Sequence, residues 1–504
     1  MRKFVIPLIL LLLFFVGLLT SLDAFPSFSW DEGWTVTVAR TWVERGYYAM
    51  WLDGQPTSPG LAAAFPSVIS LATAFQVFGI GLWQARFVVV LYMMGALAAL
   101  YALTRSLYSA RAGVIALLTL VLLLPHFDLQ ALYAGRQVVA EPLMLFFLLV
   151  GFFSFLKGLE TNHAQRRVTG MLGAIGMWSL ALSAKAQPLP FWIVSLLAGV
   201  VFCVWQRRWR DALLTFGVLG GSLLLMRGWT LGLQWLLGER LFPSTMVPGL
   251  LNVTAVVPVL DVRIDALIVL FLVSLPLVIG LCYVSFKWFK AKGEAEFAIR
   301  VVQCMVLAFV WSWTLWYLLL SIGWARYFFP ATFVSSMFVG VWLDEAVVQV
   351  LFRPQSVSHS VLNRRAWGAL GAMVLCAMYI FFTISQLLPH IHPNVSARAT
   401  TVWLNANIAP SALVETYDSE ILFGLDARAH YPPDTLNVEM IRERQIDPTL
   451  TLSYDARPIN PNYVVVGRYG RIFHIYDTLL TTGGYIPIIS IGDYTIYQNT
   501  MALH

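Results

Sequence analysis

Charge is scarce in this sequence. Asp, Glu, Lys and Arg make up only 12% of its 504 residues, about half the ~25% of an ordinary soluble domain. With 59% hydrophobic residues and a mean hydropathy of +0.72, that shortage excludes a soluble globular protein and a disordered one. Cysteine is also scarce. Cys203, Cys282, Cys304 and Cys376 each sit in an apolar stretch, without the spacing of a metal site or a redox pair, so they read as small buried hydrophobes. A glycine-rich phosphate loop is missing. No internal repeat is present. The net charge of +6 is not gathered into the continuous basic face of a nucleic-acid binder. It falls in short clusters between apolar runs, the pattern by which membrane proteins encode orientation.

The apolar runs are close to the roughly 20 residues needed to cross a bilayer. Met1-Arg2-Lys3 followed by Phe4 to Leu22 has the outline of a signal peptide. The run is long for one, and no small-x-small cleavage site precedes Asp23, so it is read as an uncleaved first span. Further spans are expected from Trp83 to Leu103, Gly113 to Leu124, Pro142 to Leu156, Met171 to Ser183, Leu189 to Val204, Leu213 to Leu237, Leu267 to Phe286, Val301 to Leu320, Phe328 to Leu351 and Trp367 to Leu388. Basic residues cluster at alternate ends: Arg105/Arg111, Lys157/Arg166/Arg167, Arg207/Arg208/Arg210, Lys287/Lys290/Lys292 and Arg353/Arg364/Arg365. All fall on the cytoplasmic side if the N-terminus is inside and if Leu61 to Ile80, bracketed by Pro59, Gly60, Gly79 and Gly81, is interfacial.

The expected fold is therefore an α-helical polytopic membrane protein of about eleven spans, multi-pass in the plasma membrane. It divides into a membrane domain, residues 1–388, with a large outer loop over 23–82, and an extracytoplasmic α/β domain, residues 389–504. In the latter, Ala397 to Ile408 reads as a helix, and Tyr463 to Val466 and Tyr485 to Tyr497 as strands.

The outer loops hold what a plain membrane anchor does not need. The first opens with Trp30-Asp31-Glu32-Gly33-Trp34 before a helical stretch, Thr35 to Glu44. The second, Pro125 to Glu141, carries His126, Asp128, Tyr133, Arg136 and Glu141. Lys185 tips a short hairpin and Arg326 opens a late span. Each has a plain structural reading: Asp31 as a helix cap, Glu141 as first-turn dipole compensation or an Arg136 partner, Lys185 and Arg326 as snorkelling cations. Together they place carboxylates and three cations on one face, a set suited to holding a phosphate and moving a proton.

These residues resemble the GT-C glycosyltransferases, in the branch of the protein O-mannosyltransferases and lipid A aminoarabinose transferases. Trp30-Asp31-Glu32-Gly33-Trp34 with Ala39-Arg40 and Gly46 is similar to that family's first-loop motif. Phe78-Gly79-Ile80 with Ala85-Arg86-Phe87 is similar to the end of that loop. Arg136 and Glu141 resemble its second-loop arginine and acid, Leu182-Ser183-Ala184-Lys185 its Lys-tipped hairpin, and Arg326-Tyr327-Phe328-Phe329-Pro330 its late Arg-Tyr-x-x-Pro segment. The likeness covers about residues 1–345. Gln55-Pro56-Thr57-Ser58-Pro59-Gly60 stands where many relatives carry a basic or His-Pro-Pro motif, and Glu141 stands in place of the commoner Asp.

The resemblance implies transfer of one sugar from a polyprenyl-phosphate carrier to a hydroxyl of a glycan, lipid or protein acceptor on the outer face, by inverting displacement. Asp31 would act as base, with Glu32 as its rival and Glu141 as a second catalytic acid. Arg136, Lys185, Arg326 and Tyr327 would bind phosphate and sugar. The resemblance fixes no cofactor; members of the family differ on metal use, and a divalent cation held by Asp31 and Glu141 is compatible with it. A polysaccharide polymerase or oligosaccharyltransferase using a lipid-diphosphate glycan ranks second. A lipid or sugar transporter ranks third, because transporters keep ionisable groups near mid-membrane, where only Arg227 is conspicuous here. Two sequons, Asn252-Val253-Thr254 and Asn394-Val395-Ser396, face outward in this topology.

Overall fold

The computed structural model describes residues 2–60, 63–241, 256–257, 259–290, 296–348, 359–387, 393–447 and 449–500. The Asn252 sequon, Lys292 and Arg353 lie outside the described residues.

The membrane domain is a bundle: α1 (Arg2–Leu19), α2 (Trp30–Arg45), α3 (Phe65–Phe78), α4 (Leu82–Leu107), α5 (Ala110–Leu122), α6 (Ala140–Glu160), α7 (Ala164–Ala184), α8 (Leu189–Trp205), α9 (Trp209–Leu237), α10 (Leu260–Ile268), α11 (Leu275–Lys290), α12 (Phe297–Leu319), α13 (Ala325–Leu343) and α14 (His359–Leu387). Over the described residues, each of the eleven stretches expected to span is helical for most of its length. Among the described residues, six helices are individually long and apolar enough to cross a membrane, or seven if α10 and α11 count as one, and four shorter apolar helices accompany them. The stretch expected as one span from Leu267 to Phe286 is instead broken, bending by 78° between Val273 and Leu275. Pro276 accounts for it, because proline cannot complete the ladder of the preceding turn.

The bundle has one apolar core, with Trp178, Trp192, Trp313 and Phe309 fully buried. At one end the basic clusters meet acids: Arg111 pairs with Asp344 at 2.9 Å, Arg167 with Asp211 and Lys287 with Glu345. The opposite end carries α2, α3 and the C-terminal domain. That domain has a helix, α15 (Ser396–Asn407), and the strands β3 (Leu413–Thr416), β4 (Arg428–His430), β5 (Tyr463–Val466), β6 (Tyr485–Ile491) and β7 (Tyr494–Asn499). They follow the first-loop hairpin strands β1 (Met50–Leu52) and β2 (Gln55–Thr57). The five-stranded sheet has the order β4-β3-β5-β7-β6, its first three strands parallel and β6–β7 an antiparallel hairpin.

Helix α2 begins at Trp30, five residues earlier than the sequence suggests, with Ser29 as its N-cap and the Ser29 N–H donating to Glu32 Oε2 at 3.3 Å. Asp31 is therefore inside the first turn and is not the cap. Glu32 is fully buried and forms a bidentate pair with the equally buried Arg86 of α4, at 2.9 and 2.7 Å. Arg86 also donates to the Leu22 and Pro26 carbonyls, and Glu32 accepts from the Val138 N–H at 2.8 Å. One ion pair thus ties the end of α1, α2, α4 and the second outer loop together.

The first loop and the C-terminal domain share a second core. Trp34 and Val36 of α2 and Val68, Leu71 and Phe75 of α3 pack with Ile421, Tyr431 and Val464. The Trp30 indole N–H donates to the Tyr417 carbonyl (2.9 Å) and the Tyr431 hydroxyl (2.7 Å), and Arg40 donates to the Phe423 carbonyl at 2.7 Å. Gly33 sits so close to the Ser419–Ile421 turn that an added Cβ would stand 2.4 Å from the Glu420 backbone nitrogen.

Two predictions test this seam. Gly33→Ala meets the Ser419–Glu420 backbone and should undock the domain, read as faster amide exchange at Ser419–Ile421; unchanged exchange would contradict the packing. Glu420 is buried with Oε2 unpartnered, and burial, followed by the Asp418 carboxylate, pushes it from 4.5 up to about 8. A folded-state value above the exposed one means docking is strongest below pH 4.5 and weakens as pH rises through about 8. Glu420→Gln should flatten that dependence.

Candidate active site

Four charged side chains from four elements converge beneath this seam. Glu141, in the first turn of α6, keeps 2% of its side chain exposed and accepts from Lys185 Nζ at 2.6 Å and from Arg326 Nε at 2.9 Å. Arg326, in the first turn of α13, also donates through its terminal nitrogen to Asp31 Oδ2. Asp31 and Arg326 are each 30% exposed at the side chain and Lys185 16%. The set forms a chain, Lys185–Glu141–Arg326–Asp31, running from buried to accessible. Its two carboxylates and two cations cancel.

The local sequence explains each position. Pro142 follows Glu141 in the first turn of α6, where a missing N–H costs nothing. Lys185 ends α7 at the hairpin tip, extended at φ −152°, and its ammonium lies 5.8 Å from the Tyr327 ring. The Tyr327 carbonyl accepts from the Trp313 indole at 2.8 Å, and its ring stacks on Trp324. Asp31 and Glu32 are adjacent on a helix and so point about 100° apart. One meets Arg326 and the other Arg86.

Of the residues singled out in the sequence, Asp31, Glu141, Lys185, Arg326 and Tyr327 therefore come together. Glu32 does not: it is enclosed with Arg86, away from any cleft. Arg136 does not join Glu141 either. Its guanidinium donates to the Gly17 carbonyl at the end of α1 and lies 5.0 Å from the Phe25 ring, with no carboxylate pairing with it among the described residues. Gln55 to Thr57 forms a hairpin strand whose turn bonds the C-terminal domain, Asp53 N–H to the Ala429 carbonyl at 2.7 Å, rather than the cluster.

A narrow cleft opens beside Glu141 and Arg326, lined also by Asp128, Tyr133, Gln137 and Phe329. Tyr469 faces the site from the C-terminal domain. Its N–H donates to Asp418 at 3.0 Å. Burial, and then the Asp31 and Glu420 carboxylates, push its hydroxyl up to about 12. The sequence reading missed Tyr469. Its signal was a position just past β5, at the carboxyl end of a parallel strand, where α/β sheets place their ligands. As a cation site the acids are poorly suited. Among the described residues no three His, Cys, Asp or Glu side chains gather, and Arg326 already occupies both carboxylates.

No protein-family model and no curated protein matches the sequence. Solved structures do. ArnT from Cupriavidus metallidurans, bound to undecaprenyl phosphate, matches over 98% of both chains at 16% identity and a TM-score of 0.61. The archaeal oligosaccharyltransferase AglB from Archaeoglobus fulgidus, in complex with an inhibitory peptide and a dolichol-phosphate, matches 98% of this chain and 74% of its own at 14% identity and a TM-score of 0.55. Both are GT-C superfamily members. The chain has the GT-C fold. Its apolar helices make it an integral membrane protein, as the apolar runs led one to expect.

The cluster yields a prediction about folding. Glu141→Gln leaves Lys185 and Arg326 facing a neutral amide in a buried place. It should cost about 3–5 kcal/mol, the usual penalty for breaking a buried pair. Asp31→Asn, at an accessible position, should melt within a few degrees of the parent. Thermal unfolding of both variants in detergent checks this.

Proposed function

We propose that this protein is a membrane glycosyltransferase that moves a single sugar from a polyprenyl-phosphate carrier to an acceptor hydroxyl at the outer face, by direct inverting displacement. The observation that carries the reading is the Arg326 bridge, one guanidinium shared between an accessible and a buried carboxylate with Lys185 on the buried one. The likeness to ArnT holding undecaprenyl phosphate supports a lipid-borne phosphate as its natural competitor.

In this reading the donor phosphate takes over the donors of Lys185 and Arg326 that now serve Glu141 and Asp31. Glu141, enclosed and immobile, keeps both cations at the site when the carrier is away. As Arg326 turns to the phosphate, Asp31 Oδ2 is freed to accept the proton of the attacking hydroxyl. The hydroxyl oxygen bonds to the anomeric carbon, the bond to the phosphate oxygen breaks, and the negative charge developing there meets two preorganised cations. Tyr327 forms the wall beside Lys185. Arg136 acts at a distance, holding the second loop to α1. The topology that suits this chemistry has the N-terminus in the cytoplasm and residues 389–504 outside the plasma membrane. An oligosaccharyltransferase-type reaction on a lipid-diphosphate glycan is the second reading, supported by the likeness to AglB.

The test uses purified protein in nanodiscs with undecaprenyl-phosphate sugars and cell-envelope acceptors, following release of free undecaprenyl phosphate. Asp31→Asn should lower turnover about 10²–10⁴-fold, the usual worth of a positioned base. Lys185→Gln and Arg326→Gln should each weaken carrier use more than about tenfold, as expected for charge-assisted contacts of about 1.5–3 kcal/mol. Full turnover in Asp31→Asn would remove the base from this loop, and turnover only on lipid-diphosphate donors would favour the second reading.

A further inference from the structure

Arg326 is aimed by the turn that precedes it, and that turn is gripped from outside the cluster. Helix α12 ends at Leu319, leaving carbonyls without helical partners. Arg263, on the short outer arm α10, supplies them. One terminal nitrogen donates to the Tyr317 and Leu318 carbonyls at 3.2 and 2.9 Å, and the other donates to the Ser321 carbonyl. No carboxylate pairs with Arg263 among the described residues, so its charge is matched by the negative end of α12. The grip has a second point, where the Val257 N–H donates to the Leu320 carbonyl at 2.7 Å.

The turn itself has little freedom. Gly323 takes φ +80°, and a Cβ there would meet Val262 at 2.8 Å, so arm and turn are in direct contact. The Ser321 hydroxyl accepts the Gly323 N–H, and the Tyr317 hydroxyl donates to the Gly323 carbonyl at 2.9 Å. Three residues later stands Arg326. On its other side the arm carries a row of exposed apolar side chains, Leu260, Ile264, Leu267, Phe271 and Leu272, and beyond Val273 it turns by 78° into α11. It is therefore an arm with an exposed apolar surface, joined to the rest of the bundle at a bend and to the active-site turn by the Arg263 grip, the Val257–Leu320 hydrogen bond and the Val262–Gly323 contact.

We propose that Arg263 is a positioning residue for Arg326, coupling the arm Leu260–Ile268 to the turn that sets the guanidinium between Asp31 and Glu141. The affinity arm of the test rests on the phosphate role given to Arg326 above; the exchange arm does not.

The experiment compares the full chain with Arg263→Gln, Arg263→Lys, Arg326→Gln and the double glutamine variant, all in nanodiscs. Undecaprenyl phosphate is the binding probe, and amide exchange over Leu320–Tyr327 is the structural readout. Arg263→Gln should speed exchange in that segment while the interior of α12 stays protected, and should weaken the probe about tenfold, the loss expected when a charge-assisted contact is misaligned. In the Arg326→Gln background the same change should add less than about twofold, because residues acting through one another are not additive. Arg263→Lys, which keeps the charge at the end of α12, should recover part of both effects. Unchanged exchange over Leu320–Tyr327 in Arg263→Gln overturns the proposal, as does a fully additive loss in the double variant. If Arg326→Gln binds the probe as the parent does, the phosphate reading falls, and the exchange result alone decides the role of Arg263.

Discussion

The buried pair between Glu32 and Arg86 is the constraint from which the outer half of the molecule is built. Two charges with no exposed side-chain surface are tolerable only when every remaining hydrogen-bonding position is filled. Here the fillers are the carbonyls of Leu22 and Pro26, the Val138 N–H and the Ser29 cap. Those partners come from the end of α1, the entry to α2 and the second outer loop, so satisfying the pair fixes all three against α4. Once α2 cannot rotate, Asp31 has one direction in which to point. The accessible acid owes its aim to the inaccessible one beside it.

The five residues Trp30 to Trp34 divide their work by helical geometry. The indoles of Trp30 and Trp34 meet Tyr431, Asp31 reaches Arg326, Glu32 is spent on Arg86, and Gly33 leaves room for the backbone of Glu420. A segment of little more than one turn thus joins membrane bundle, cluster and C-terminal domain. The last of these borders the site, since its Ser419–Ile421 turn packs on Gly33 and Trp30, the neighbours of Asp31. Within the cluster, Lys185 and Arg326 are held by helix ends rather than by long loops, which gives the two cations little freedom to drift apart.

Much of this was legible in the sequence. The apolar runs and their basic ends led to helices in the right places, and β5, the β6–β7 pair and α15 followed from alternation and composition, whereas the short strands β3 and β4 did not. Asp31, Glu141, Lys185 and Arg326 stood out because charge at the outer end of an apolar run has a cost that something must offset. The errors have physical causes. Glu32 and Asp31 have similar chemistry and adjacent positions, so only the partner, Arg86 at a separation of 54 residues, tells them apart. Arg136 was expected at the phosphate, with pairing to Glu141 as the plain alternative, because it lies five residues from Glu141 in the chain; the fold instead gives Glu141 to cations 44 and 185 residues away. The break at Ser274 was hidden in a stretch apolar enough to read as one span, and Tyr469 was hidden in a domain read only for its strands.

The central claim is that Arg326 exchanges Asp31 for the carrier's phosphate, and a structure with undecaprenyl phosphate bound tests it most directly. The account predicts phosphate oxygens within hydrogen-bond distance of both Lys185 Nζ and the Arg326 guanidinium, the Arg326–Asp31 contact broken, and Asp31 open to the cleft. A phosphate held elsewhere, with the Lys185–Glu141–Arg326–Asp31 chain intact, would contradict it.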